Sequence, residues 1–111
     1  MILTEDEVAL LDDVADDWYG IWEANWWFNY VHSDWSWERR AAYLVDLVER
    51  ELLEVFSRPA HDALLKREAA LEVLQSPLNW AVPPEDDQQA FRVATSQTGL
   101  AALRAAGLQG I

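Results

Sequence analysis

Ser36-Trp37-Glu38-Arg39-Arg40-Ala41-Ala42-Tyr43-Leu44-Val45-Asp46-Leu47-Val48-Glu49-Arg50-Glu51-Leu52-Leu53-Glu54-Val55-Phe56 is the stretch whose reading decides the fold. Trp37, Ala41, Leu44, Leu47 and Val48 recur at helical spacing, so the segment from Trp37 to Glu51 is predicted as an amphipathic helix. Ser33, Asp34 and Ser36 stand ahead of it as possible caps. Leu52-Leu53-Glu54-Val55-Phe56 then suits a strand, ended by Ser57-Arg58-Pro59. A helix running directly into a short strand, in a chain otherwise rich in helical periodicity, predicts an α+β, mainly helical domain. A small antiparallel sheet completes that expectation.

Toward the N-terminus, Thr4 with Glu7 forms a capping-box pattern, which starts a helix at Glu5. Stepping about 100° per residue puts Leu11, Val14, Ala15, Trp18, Ile21, Trp22, Asn25 and Asn29 on one face. Glu5, Asp12, Asp13, Asp16 and Glu23 fall opposite. The pattern persists to about Tyr30, with Gly20 as a candidate break, and Val31 to Trp37 read as a connection. Toward the C-terminus, Asp62 to Gln75 is predicted helical and is stopped by Ser76-Pro77. Pro83-Pro84-Glu85-Asp86-Asp87 reads as a polar loop and Ala90-Phe91-Arg92-Val93-Ala94 as a short strand. Thr95 or Ser96 then caps a last helix that Gly107 terminates.

A chain of 111 residues, half of them hydrophobic, suits one domain spanning residues 1–111. It has no cysteine, which excludes disulfides, thiolate metal sites and a cysteine nucleophile. Met1-Ile2-Leu3-Thr4-Glu5-Asp6-Glu7 lacks the features of a signal peptide, and no apolar run suits a membrane span, so a soluble cytoplasmic protein is expected. Seven arginines against one lysine fit a GC-rich bacterial genome. Twenty acids oppose eight bases, for a formal charge of −12, and the first 38 residues hold ten acids and no Lys or Arg. Such a field repels nucleic acid and anionic membranes and attracts basic surfaces.

Ser36 to Val55 is similar to the recognition helix and first wing strand of MarR-like winged helix–turn–helix regulators. Phe91-Arg92-Val93-Ala94-Thr95 followed by Gly99-Leu100-Ala101-Ala102-Leu103 is similar to their returning strand and "LTxxG" helix start. The resemblance implies a winged-helix-like domain with a long helical insert in its wing, and in its ordinary form a DNA-binding regulator. Three features depart from that pattern. Glu51 stands where the family has glycine at the turn out of the helix. The stretch from Pro59 to Gln89 exceeds an ordinary wing. The outward face of the helix carries Glu38, Asp46 and Glu49 against Arg39 and Arg50, whereas base reading and phosphate neutralisation need cationic and amide donors. The fold is therefore expected without ordinary DNA binding.

Two clusters stand out. Asp12-Asp13-x-x-Asp16-Asp17 sets like charges four apart on a helix, at a cost of a few tenths of a kcal/mol per pair. Its spacing resembles the DDxxD magnesium motif of prenyl-diphosphate synthases. That chemistry also needs basic residues for the phosphates, and this half of the chain has none, so no metal and no cofactor are expected. A solvated face and a contact surface for a basic partner are the remaining readings. The second cluster is aromatic: Trp18, Trp22, Trp26, Trp27, Trp35 and Trp37 fall within twenty residues. Trp18, Trp22 and Trp37 lie on apolar faces and are expected in the core. If the first helix is unbroken, Trp27 projects among Asp12, Asp16 and Glu23 as an interface anchor; if it breaks near Gly20, Trp27 turns inward.

His32 and His61 have no nucleophile motif beside them, and no glycine-rich phosphate loop is present, so catalysis is not expected. The leading expectation is an immunity or inhibitor protein for a basic-surfaced partner such as a bacterial toxin or nuclease. Its partner-binding residues would be Asp12, Asp13, Asp16, Asp17, Glu23 and Trp27. The alternatives are a winged-helix transcriptional regulator, with Arg39 and Arg40 or the long wing on DNA, and a non-inhibitory interaction module. The sequence sets no oligomeric state.

Overall fold

A computed structural model describes residues 2–58, 62–81 and 91–107. It contains the helices α1 (Glu5–Asp16), α2 (Ile21–Val31), α3 (Trp37–Glu49), α4 (Arg67–Leu74) and α5 (Gln97–Ala105). The strands are β1 (Tyr19–Gly20), β2 (Leu53–Ser57), β3 (Ala63–Leu64) and β4 (Phe91–Thr95). They form one antiparallel sheet in the order β1-β4-β2-β3, with Val55 opposite Val93 and Tyr19 opposite Val93 on its other side. The domain is α+β and mainly helical, and its small sheet has two strands beyond the pair read from the sequence. Among the described residues no helix is long and apolar enough to cross a membrane.

The first helix does not continue to Tyr30. It stops at Asp16, where aspartates crowd the negative end of the helix dipole. Tyr19 and Gly20 then pair with β4, because bonding to the sheet satisfies backbone groups that helix would otherwise have used. Helix returns at Ile21, and the Gly20 N–H donates to Glu23 Oε1 at 2.9 Å, half of a capping box. The break shifts the phase of everything beyond it. Trp27 turns inward and is buried, beside Ile21, Ala24 and the fully buried Phe28. Trp18 and Trp37, expected in the core, are partly exposed instead. Trp18 sits in the connection and stacks on Phe56 at a centroid distance of 4.5 Å, covering the outer face of β2.

Helix α3 keeps its predicted face, with Ala41, Leu44, Leu47 and Val48 buried, and Ser36 accepts from the Arg39 N–H as its cap. It ends at Glu49 rather than Glu51. Glu51 has φ 63°, its N–H bonds to the Val48 carbonyl at 2.9 Å, and the Leu52 N–H bonds to the Leu47 carbonyl at 2.9 Å. This is the paired closure of a Schellman motif, with Glu51 in the left-handed position that glycine usually takes. Leu52 and Leu47 are both fully buried and complete its apolar contact. The chain thereby turns out of α3 and straight into β2.

Ser96 locks that corner to the end of the sheet. Its hydroxyl donates to the Glu51 carbonyl at 2.5 Å and accepts the Gly99 N–H at 3.0 Å, so Ser96, not Thr95, caps α5. A side chain at Gly99 would meet the Leu52 carbonyl oxygen at 2.3 Å, so only glycine fits where α5 crosses the corner. Thr95 donates to the Leu11 carbonyl at 2.6 Å and ties α1 to β4.

The predicted helix from Asp62 starts only at Arg67, since Ala63 and Leu64 pair with β2 first. A short 3-10 helix, Pro77–Trp80, follows α4, and its buried Trp80 donates from Nε1 to the Leu74 carbonyl at 2.8 Å. Ala70, Leu74 and Trp80 all join the main core. This part of the long connection is a structural member rather than a free wing. Gly107 has φ 83°, in keeping with its predicted role as a stop after α5. The polar loop expected at Pro83 to Asp87, together with Pro59, Gln89 and Ala90, lies outside the described residues.

Candidate functional site

The acidic end of α1 and the aromatic face of α2 meet in one open cleft. Asp13 and Asp16 lie in the last turn of α1, and Asp17 is its C-cap, with its N–H bonded to the Asp13 carbonyl at 3.2 Å. No basic residue stands in that turn to offset the dipole. Glu23, in the first turn of α2, lies across from them. Asp13, Asp17, Tyr19, Glu23, Trp26, Trp27, Tyr30 and Val31 line a cleft of about 560 Å³. Trp26, Asn29 and Tyr30 border a second hollow of about 310 Å³ beside it.

Rings form much of the surface. Trp27 is only 9% exposed and makes the floor, held edge-on against Phe28 at 5.0 Å. Trp26 is 52% exposed and Tyr30, one turn further, 92%. Trp22 sets the orientation of Trp26 through an edge contact at 4.7 Å. Rings this open, next to carboxylates, are a costly arrangement for a surface with nothing to bind.

Electrostatics couple the two halves. Burial, then the neighbouring charges of Asp12 and Asp16, raise the Asp13 carboxyl above its ordinary range. Burial also raises the Tyr19 hydroxyl, followed by the charges of Asp13, Asp17 and Glu23. All three cleft carboxylates are therefore felt at one side chain. Among the described residues, Asp13, Asp16, Asp17 and Glu23 form no ion pair.

Of the residues expected to bind a partner, Asp13, Asp17, Glu23 and Trp27 come together in the cleft, while Asp12 and Asp16 lie on the same helix end outside it. The cleft adds Tyr19, Trp26, Tyr30 and Val31. Their signal was available in Gly20-x-x-Glu23, a helix start that places Trp26 and Tyr30 four residues apart on one face.

No protein-family model, curated protein or solved structure matches this chain.

A second polar centre holds the other end of α2. The Arg40 side chain is buried, and no carboxylate among the described residues pairs with it. Its Nε donates to the Trp35 carbonyl at 3.0 Å, and Nη1 reaches Asn25 Oδ1 at 2.7 Å and Asn29 Oδ1 at 2.6 Å. Nη2 faces the carbonyls of His32 and Ser33 at 3.5 and 3.4 Å. These oxygens gather at the C-terminus of α2, so Arg40 is the cation that this helix end requires. Beside it, Trp35 stacks on His32 at 3.9 Å and carries the Arg39 guanidinium carbon 4.2 Å from its ring centre. His32 Nε2 also contacts Asp6 Oδ2 at 2.5 Å, joining the α2 end to α1. Asn25 and Asn29 fall on the apolar stripe of the sequence pattern, and Arg40 gives their side-chain oxygens a charged donor there.

Proposed function

We propose that this chain is an acidic protein-binding module, an immunity or inhibitor protein that neutralises a basic-surfaced partner such as a bacterial toxin or nuclease. The observation that carries this reading is the cleft, where exposed Trp26 and Tyr30 stand beside carboxylates that form no ion pair among the described residues. Aromatic rings supply contact area at low entropic cost, and the surrounding negative field raises the encounter rate with a basic surface. The charge of −12 extends that field over the molecule. The reading assigns the chain no catalysis, cofactor, metal, membrane or nucleic-acid role, and a cytoplasmic place of action.

Affinity capture from a native lysate tests it, with wild type and Asp12→Lys/Asp16→Lys as paired baits. The expected partner is a basic protein whose association slows in the variant and whose salt dependence flattens, since long-range attraction acts on the encounter. Recovery of an acidic partner, or equal association by both baits across salt concentrations, would reject the reading.

One observation favours a second reading. Strands β2 and β4 pair antiparallel after α3 and lead into a Ser96-capped helix containing Gly99, as the resemblance to winged-helix regulators implies. We propose that the winged-helix plan is retained without its DNA-binding role. Arg40 is withdrawn from the surface and Arg39 lies on Trp35, so the outward face of α3 presents Glu38, Asp46 and Glu49 where phosphates and base edges need cationic and amide donors. A mobility-shift assay with duplex DNA is expected to show no complex at physiological salt. A complex that weakens with added salt and is lost in Arg39→Ala would promote the regulator instead.

A further inference from the structure

We propose that the cleft between α1 and α2 is a receptor for one arginine side chain of the partner, its guanidinium stacked against Trp26 and Tyr30 and its N–H groups directed to Asp13, Asp17 and Glu23. This inference rests on the acidic binding-module reading and names what enters the cleft. Its volume of about 560 Å³ lies within the roughly 300–1,000 Å³ of ordinary ligand sites, ample for such a side chain.

Three physical arguments select the occupant. An apolar side chain would match the rings but would strip water from carboxylates that form no ion pair among the described residues, a cost without return. A second copy of this chain would bring another −12 against the first. A cation satisfies both rings and carboxylates, and the planar guanidinium does so better than an ammonium, because it stacks on aromatic faces while its edge forks to carboxylates. The protein already uses this chemistry at two places. Arg39 lies over the Trp35 ring, and Arg40 neutralises the C-terminal end of α2. The last turn of α1 has no base of its own, so the partner's arginine would do for α1 what Arg40 does for α2.

The test uses the whole protein and three probes of equal length, oligo-arginine, oligo-lysine and oligo-citrulline peptides. Binding is followed by calorimetry and by the indole N–H resonance of Trp26, assigned with Trp26→Phe. Oligo-arginine should bind several-fold tighter than oligo-lysine and shift that resonance, and oligo-citrulline should do neither. Trp26→Ala and Asp13→Asn/Asp17→Asn should each weaken oligo-arginine about tenfold or more. Trp26→Phe should retain most of the affinity, and Glu68→Gln/Glu72→Gln, an equal charge change on α4, should leave it within about twofold. Circular dichroism establishes that each variant folds. Equal weakening by the α4 variant, or equal affinity for the two cationic peptides with an unmoved indole, would overturn the cleft assignment and leave a general acidic surface. No binding of either cationic peptide would overturn both readings. Self-association of the free protein that Trp26→Ala abolishes would make a second copy the occupant and sink the proposal.

Discussion

The Arg40 guanidinium serves six oxygens from two side chains and four carbonyls, and none is a carboxylate. Among the described residues its charge is balanced by dipoles and by the Phe28 ring, 5.9 Å from the guanidinium carbon, which suits the planar fork of arginine rather than the point charge of lysine. Arg40→Met should therefore destabilise the fold by about 3 kcal/mol or more in chemical denaturation, because it strands buried acceptors. Arg40→Lys should recover only part of that loss. Glu51 presents the opposite case. Its left-handed φ of 63° costs about 1 kcal/mol that glycine would not incur. Its side chain is exposed and makes no hydrogen bond or ion pair among the described residues. Glu51→Gly should stabilise the protein by up to about 1 kcal/mol in the same assay, less the extra freedom glycine adds to the unfolded chain. A loss of stability would show that the corner depends on the glutamate itself.

Helix α1 is well made at one end and poorly made at the other. Thr4 and Glu7 close a full capping box, with Glu7 also bound to Arg50 at the C-cap of α3, while the last turn gathers aspartates against the negative pole. Asp16→Lys removes the repulsion with Asp12 four residues away and places a cation at the C-terminus. It should raise stability by about 0.5–1 kcal/mol. Asp16 is one of the charges that raise the Asp13 carboxyl, so the Asp13 titration should move back toward its ordinary range when followed by carboxyl NMR. An Asp13 titration that stays put would mean that burial and Asp12 set it without Asp16. A helix end that gains stability from losing its acids is what the proposed contact role entails.

At the scale of the molecule, Tyr43 couples the core to pH. Burial, then the Glu7 carboxylate, push its hydroxyl from the ordinary 10.0 up to about 12. Below pH 10 both folded and unfolded chains keep the proton, and the contribution is constant. Between 10 and about 12 the unfolded chain releases a proton the folded chain retains, so stability falls as pH rises. Tyr19, raised in the same direction, adds to this limb. Denaturation midpoints across alkaline pH should show the decline, and Tyr43→Phe should flatten most of it. A decline unchanged in Tyr43→Phe would move the effect to other groups.

Local and periodic features were legible in the chain itself. The face of α3, the Thr4 capping box, the strand after Leu52 and the Ser96-started helix all depend on residues within a few positions of one another, so spacing is enough to read them. The Schellman corner was half legible, since a turn was expected at Glu51, but the sequence put a glutamate there. Three things depended on distant partners and emerged only in the tertiary structure. Tyr19 and Gly20 leave the helical path because β4, some seventy residues later, offers backbone bonds. Arg40 becomes a buried cap only once Asn25 and Asn29 face it across the α2–α3 turn. Trp27 becomes a floor, and Trp26 and Tyr30 the walls, only because the break at Gly20 rotates α2 relative to the acids of α1. Composition set the charge and the wealth of rings, and the sheet decided which rings and which carboxylates share a cleft.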